Sequence, residues 1–353
     1  MPRDFAFVET SPGNVVVGWG PFEERNASDP AGTTFFINDF FMDDSRPWKQ
    51  PAEVEELSIR ELADRFDAGP EPRMEWSAPP FDEFEPLLRS AQTAIARGEF
   101  GKIVPVVFER GTQRSAPTPP WRYLLSRLAA LPPGLRAYGY SVGGYALIGA
   151  TPEVLFQGGP CLYRTMALAG TRPARDIEEL LTDAKEQREH LLVVEDIVRR
   201  LSPLGNVEVG PLGLMRLPGI GHLVTPIFFA GGETSFETMV RRLHPTAALG
   251  VSPRTEEGER WLRESDRGIG RKGFGAPFGI CRADGTSLAV VAIRNVEWTG
   301  ATCRIGSGAG LLAESDLRRE FEELRQKREH VKALFGLKSA GDERWGMSHA
   351  PVN

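Results

Sequence analysis

The chain has 353 residues, 41% hydrophobic and 25% charged, a composition that suits one large globular α/β domain or two small ones. Its 42 basic residues stand against 48 acidic ones, a net charge of −6, and no run of Lys and Arg interleaves with aromatics. Nucleic acid and anionic membrane surfaces are therefore not expected partners. No long apolar stretch follows Met1-Pro2-Arg3-Asp4, so neither a signal peptide nor a transmembrane helix is expected. Three scattered cysteines, Cys161, Cys281 and Cys303, read as reduced, mostly buried thiols of a cytoplasmic protein, without the spacing of metal ligands.

Residues 1–80 mix short strand-like runs, Asn14–Trp19 and Thr33–Ile37, with polar and Pro-rich connections. Within them Arg46–Pro80 reads as a loosely packed connection with one short helix near Val54–Phe66. From Phe84 the pattern sharpens: Phe84, Leu87, Leu88, Ala91, Ala94 and Ile95 follow helical spacing, and Gly98 stops the helix after Arg97. A strand follows over Lys102–Phe108, with Pro105 marking it as an edge strand or a bulge. Further strands are expected at Arg136–Ser141, Tyr145–Ala150, Val154–Gln157, Ala289–Val296 and Ala301–Ile305. Long helices are expected at Ile177–Leu201 and Ser315–Leu334, the second capped by Ser315. Strand groups separated by long helices predict an α+β fold with antiparallel sheets covered by helices. Residues 338–353 are polar and expected to be disordered.

Two acidic clusters repeat one spacing. Glu186 and Glu189 lie in Lys185-Glu186-Gln187-Arg188-Glu189-His190, and Glu320 and Glu323 in Arg319-Glu320-Phe321-Glu322-Glu323. Carboxylates three apart on a helix share a face. Four of them on two helices are the kind of donor set a hard divalent cation such as Mg²⁺ takes, although such a pair alone is ordinarily a solvated helix face.

In chain order the motifs continue with Gly149-Ala150-Thr151-Pro152-Glu153, Leu168-Ala169-Gly170-Thr171-Arg172, the Lys185–His190 block and Gly221-His222-Leu223-Val224-Thr225-Pro226. Then come Leu243-His244-Pro245-Thr246-Ala247-Ala248-Leu249-Gly250, Ala292-Ile293-Arg294, Gly308-Ala309-Gly310 and the Glu320–Lys327 block. This series resembles the chorismate-utilising enzymes: isochorismate, salicylate, anthranilate and aminodeoxychorismate synthases. The resemblance runs from about Phe84 to Leu337. It implies a single domain of two large antiparallel sheets wrapped by helices. Residues 1–80 would be a short N-terminal part of that fold and 81–337 the chorismate-binding catalytic region.

The resemblance also implies roles. Glu189 and Glu323 would be direct Mg²⁺ ligands, with Glu186 and Glu320 in the first or second shell. Lys102 stands where water-activating members carry their base and amine-transferring members a Gln. A base-acting Lys needs desolvation or nearby positive charge; otherwise Lys102 simply blunts a strand edge. Glu153 corresponds to the general acid that protonates the departing C4 hydroxyl, a task that needs a raised pKa. Gly170 and Thr171 resemble donors to a substrate carboxylate, and Arg294, on the expected strand Ala289–Val296, the residue that grips the pyruvyl carboxylate. Gly308, and less directly Gly310, resemble main-chain donors near the substrate.

Lys327 resembles a lysine near the substrate, with an i,i+4 ion pair to Glu323 as its alternative, and His222 a ring-side histidine whose alternative is a satisfied core residue. Ala169 stands where some aminodeoxychorismate synthases have a nucleophilic Lys. Ala248 and Leu249 look like the pocket pair of isochorismate synthases, where salicylate synthases tend to have Thr. Phe274 replaces a commoner Tyr, and Val104–Phe108 lacks the usual residues after Lys102. The expected activity is isochorismate synthesis from chorismate with Mg²⁺ and no obligatory glutaminase partner. Salicylate synthesis, glutaminase-dependent amination and a non-catalytic chorismate binder are the alternatives.

Overall fold

The computed structural model describes residues 3–337, so the expected disorder of 338–353 falls outside the described residues. Seventeen strands join in one antiparallel network, and Lys102–Ile103 pairs with Val251–Ser252 in a separate two-stranded ribbon. The architecture is thus mixed α and β around a large antiparallel sheet. Where two large sheets were expected, hydrogen bonding is continuous, because several strands serve a different neighbour on each edge. Phe5–Ser11 pairs with both Asn14–Arg25 and Arg136–Val142, and Asn295–Thr299 with both Tyr145–Thr151 and Thr302–Gly308. Among the described residues no helix is long and apolar enough to cross a membrane.

Two apolar cores anchor the helices that carry the acidic pairs. The Ala184–Leu201 helix sends Val193, Ile197 and Leu201 into a cluster with Phe156, Phe236 and Met239. The Leu317–Phe335 helix sends Val331 and Phe335 into another, with Phe5, Trp121 and Trp298. Each large side chain buried this way stabilises the fold by about 1.5–3 kcal/mol. The inward face of the first helix is Glu186, His190, Val193, Ile197 and Leu201, while Leu191 is exposed.

Several expected boundaries move, each for a local reason. The helix expected over Ile177–Leu201 is two: a 3₁₀ segment Ala174–Leu181, then Ala184–Leu201 restarted by Asp183, whose carboxylate accepts from the amides of Lys185 (3.0 Å) and Glu186 (3.1 Å). The second acidic helix is capped by Asp316, while Ser315 Oγ accepts from the Leu312 amide instead. Arg46–Pro80 is no loose connection: it holds strand Trp48–Ser58, helix Ile59–Asp64 and strand Met74–Ser77. A Ser58–Glu61 capping box starts that helix later than expected. The run Lys102–Phe108 breaks at Pro105, which has no N–H to donate. Before it the chain pairs with Val251–Ser252, and from Val106 onwards with Thr302–Gly308. Of the cysteines, only Cys303 is buried; Cys281 is half-buried and Cys161 exposed.

Candidate active site

Loops and strand ends of the sheet meet the two acidic helices at a cleft of about 640 Å³, its open mouth included. Glu153, Gly170, Thr171, Glu189, His222, Ala248 and Leu249 line it, with Phe274, Arg294, Gly308, Gly310 and Lys327 from later in the chain. Lys102, Glu186 and Glu323 do not line it but contact residues that do, namely Glu189, Thr171 and Lys327, and Glu320 joins them through Lys185. Motifs up to 225 residues apart in sequence thereby converge on one space, as their order alone could not establish.

Lys102 is wholly buried, its ammonium 2.9 Å from Glu189 Oε1. The contact is a close ion pair out of line for a good hydrogen bond, and Nζ has no aligned acceptor among the described residues. Burial alone would raise the Glu189 carboxyl, but Lys102, aided by Lys185 and Lys327, holds it below the usual range. Gly310 makes this pairing possible. A Cβ there would fall 2.2 Å from Glu189 Oε1 and 2.5 Å from Lys102 Cε. Gly310→Ala should therefore force the pair apart, costing roughly 1–3 kcal/mol as overpacking does. We expect a lower melting temperature and a larger fall in turnover than Ala causes at Gly159, where a Cβ meets nothing within 4 Å.

Glu153 occupies the turn between strands Tyr145–Thr151 and Val154–Gly159. Its amide donates to Thr151 Oγ1 (3.1 Å), and Thr246 Oγ1 donates to its Oε1 (3.3 Å). Burial pushes the carboxyl up to about 7, against the Thr246 hydrogen bond and the charge of Lys102. Near neutral pH this group can therefore hold a proton or release it.

Gly170 interrupts the register of strand Leu162–Pro173 against Ile220–Gly231: Ala169 faces Leu223, yet Thr171 faces His222. The bulge uses a positive φ of 77°, which a glycine adopts freely. It aims the Thr171 amide at Glu186 Oε2 (2.8 Å) and brings Thr171 Oγ1 to 3.1 Å from His222 Nδ1, with the Gly170 carbonyl at 3.2 Å. The Thr171 amide thus serves Glu186, while the Thr171 hydroxyl, the group expected to meet a substrate carboxylate, lies beside His222. On its other side His222 Nε2 lies 3.4 Å from an Arg294 guanidinium nitrogen. Arginine only donates, so this contact assigns the Nε2 lone pair to Arg294 and the ring proton to Nδ1. Burial, with Arg294 and Lys327 nearby, pushes His222 well below its usual range, so the ring is neutral.

Arg294 lies in a kink between strands Ser287–Val291 and Asn295–Thr299, not on the continuous strand expected there. Its φ of 54° is unfavourable for a side-chain-bearing residue and is held in place by its surroundings. Tyr138 Oη donates to the Ile293 carbonyl (2.8 Å), and Asn295 Nδ2 to the Ala292 carbonyl (2.6 Å) and Tyr138 Oη (3.0 Å). Burial lowers the guanidinium to about 10, with Glu323 opposing, so it stays charged at neutral pH. Lys327 pairs with Glu323 (2.7 Å), the i,i+4 contact its spacing allows, and also donates to the Gly308 carbonyl (2.8 Å).

The two acidic pairs do come together. Burial and the charge of Glu189 raise Glu186, and burial with Glu323 pushes Glu320 up to about 7. Four oxygen-donor carboxylates that destabilise one another's charge fit a hard divalent cation by chemistry. As placed, no three of them, nor any other three acidic, His or Cys side chains among the described residues, already form a metal-ready group; each carboxylate is instead paired with a lysine.

The remaining walls are braced from outside the cleft. Phe274 packs edge-on against Phe108, centroids 5.6 Å apart. Arg271, buried and given no role by the sequence, donates to the carbonyls of Leu249 and Val104 (3.0 Å each) and pairs with Asp266 (3.3 Å). It thereby ties the Ala248–Leu249 wall to the residues following Lys102. Thr246, Lys185 and Arg271 are the contributors that sequence reasoning missed.

The cleft thus brings together a buried carboxyl poised near neutrality, a buried lysine paired with a glutamate, and a guanidinium with no carboxylate partner among the described residues. The chain belongs to the chorismate binding enzyme family, whose model matches residues 32–335. It is 30% identical over 303 residues to the salicylate biosynthesis isochorismate synthase of Pseudomonas aeruginosa, covering 80% of this chain and 62% of that protein. It is 29% identical over 279 residues to anthranilate synthase component 1 of Aeropyrum pernix, covering 73% and 61%. The chain thus spans less than two thirds of the length of these curated relatives. In fold it is similar to MenF, the menaquinone-specific isochorismate synthase of Escherichia coli, with a TM-score of 0.79 and 21% identity over 94% of this chain and 88% of that one.

Proposed function

We propose that the protein is a Mg²⁺-dependent isochorismate synthase, adding water at C2 of chorismate with loss of the C4 hydroxyl. The observation that carries this reading is Glu153, a buried carboxyl that burial sets near pH 7 on the wall of a cleft backed by Lys102. Acting in its neutral amine form, Lys102 takes a proton from the attacking water, and Glu153 delivers its own proton to the departing hydroxyl. Arg294 takes the pyruvyl carboxylate, oriented by the neutral His222, whose tautomer leaves no Nε2 proton to give. Glu189 and Glu323, with Glu186 and Glu320 beside them, would hold Mg²⁺, which supplies Lewis-acid stabilisation at the ring carboxylate. Ala248, Leu249 and Phe274 present apolar surface rather than a hydroxyl, which favours isomerisation without pyruvate loss over salicylate formation. The same reading takes residues 1–80 and 81–337 as one fold, supported by the pairing of Phe5–Ser11 with Arg136–Val142. It also places the protein in the cytoplasm with no glutaminase partner.

Purified protein given chorismate and Mg²⁺ should yield isochorismate as the main product on chromatography, without ammonia or glutamine. Anthranilate or aminodeoxychorismate formed only with added ammonia would overturn the assignment, and stoichiometric pyruvate would shift it to salicylate synthesis. Glu189→Gln and Glu323→Gln each remove a formal charge at nearly constant size. Both should fold, and Mg²⁺-dependent turnover should fall by orders of magnitude because hard cations depend on carboxylate charge. Near-normal rates at low Mg²⁺ in both variants would make these residues ordinary helix-surface acids.

A further inference from the structure

The four carboxylates are not equivalent. Glu186 and Glu320 are almost wholly buried, with side chains 4% exposed, whereas Glu189 and Glu323 are 13% and 23% exposed. The inner two share one cation. Lys185 Nζ lies 2.8 Å from Glu320 Oε1 and 3.3 Å from Glu186 Oε1, while the other oxygen of Glu186 accepts from the Thr171 amide at 2.8 Å. Lys185 and Glu186 are in the first turn of the Ala184–Leu201 helix and Glu320 is in the first turn of Leu317–Phe335. One ammonium therefore joins the N-terminal turns of two helices whose other ends are anchored in different cores.

We propose that Lys185 is a built-in counter-ion that assembles the acidic site before any metal arrives, sharing its one positive charge between Glu186 and Glu320, while Glu189 and Glu323, each beside a lysine of its own, are the more exposed pair left to meet the divalent cation. The inference rests on the metal-binding reading above. Two buried carboxylates on separate elements repel one another and are costly to leave uncompensated. Without a cation between them, the helix ends would splay or draw in solvent. With Lys185 in place, their charge is met by a covalently attached group, independent of metal concentration. The outer pair then needs to recruit only one ion. Lys185 acts through these carboxylates and is a positioning residue, not a catalytic one.

The test is thermal melting of the full chain with EDTA and with excess Mg²⁺, for the parent, Lys185→Gln, Lys185→Arg and the double variant Lys185→Gln/Glu320→Gln, with Mg²⁺ binding followed by calorimetry. In EDTA, Lys185→Gln should melt lower than the parent by on the order of 5 °C, the scale expected for a buried charge left without its partner in a chain of this size. Mg²⁺ should raise its melting temperature more than the parent's, since the ion then substitutes for the missing ammonium. Lys185→Arg should restore most of the loss. The double variant should also recover stability in EDTA, which a mere packing role for the lysine stem would not produce. Equal melting of parent and Lys185→Gln in EDTA would overturn the proposal, as would equal gains from Mg²⁺ in a parent that binds it. So would a double variant that melts no higher than the single one, or that fails to fold. A parent that binds no Mg²⁺ in calorimetry would instead remove the metal reading itself, so the two failures are distinguishable.

Discussion

Lys102→Gln should lower turnover at least ~10²-fold, the usual scale for a lost general base, while chorismate still binds with a modest loss. Lys102 is wholly buried against Glu189 and Gly310 and is not itself a lining residue, so replacing it changes little of the surface that holds the substrate. Arg294 and Lys327 keep their charges on the wall. The substitution does remove the cation that holds Glu189 below the usual carboxylate range. Breaking a buried pair costs roughly 3–5 kcal/mol when nothing replaces the lost partner; the Gln amide can still donate, so the cost should be smaller. Turnover should accordingly be measured on protein shown to be folded by circular dichroism, with chorismate affinity determined separately by equilibrium dialysis. Retention of more than about a tenth of parental turnover, against the ~10²-fold loss expected, would dismiss Lys102 as the base.

The site was legible in the sequence to the extent that its residues sit in short motifs of distinctive chemistry. Glu153 after a Thr-Pro turn, the two Glu pairs, Arg294 and Gly310 could all be named from the order of segments. Their contacts could not. Gly310 reads as a possible main-chain donor, and only the positions of Lys102 and Glu189 reveal that it is a gap two side chains require. Arg294 reads as a strand residue because Ala289–Val296 is a continuous apolar run. The kink follows from long-range support by Tyr138 and Asn295, which no local period reports. Lys185 was visible between two acids but looked like any surface lysine, since its second partner is 135 residues away. Thr246 lay inside a motif without a role of its own, and Arg271 was a basic residue in a glycine-rich loop.

The fold shows the same division. Local punctuation served well where it was strong: Gly98, with a φ of 74°, follows the helix cap, and Pro105 divides its strand between two pairings. It served poorly where burial is two-sided. The long strands Leu162–Pro173 and Ile220–Gly231 pair along most of their length, yet mix apolar, small and polar residues without clean alternation. The continuity of the sheet depends on which strand edges meet, a property of distant pairs rather than of any segment.

Glu153→Gln should separate the acid from the base and expose the physical origin of its function. The amide keeps the shape and can still receive the Thr246 hydrogen bond, but it has no proton to deliver, so forward isomerisation should fall ~10²-fold or more. In the parent, kcat/KM should decline as pH rises through about 7, where the buried carboxyl loses its proton, giving the alkaline limb of a bell-shaped profile. Stability should carry the same signature. A carboxyl raised from 4.5 to about 7 by folding means that the native state holds the proton over that interval while the unfolded chain releases it. Stability from this group is therefore fully present below pH 4.5 and is lost as pH rises through about 7. Its size is on the order of 3 kcal/mol, from about 1.4 kcal/mol per pH unit. Glu320 is also pushed to about 7, so the raw pH dependence of the parent mixes two groups. The decisive quantity is the difference in melting temperature between Glu153→Gln and the parent. It should shift in the variant's favour between pH 5 and pH 8, because the amide never has to ionise in the buried site. A difference that stays constant across that range would mean that Glu153 does not hold a proton at neutral pH in the folded protein, and the acid assigned to the leaving hydroxyl would have to be sought elsewhere on the cleft.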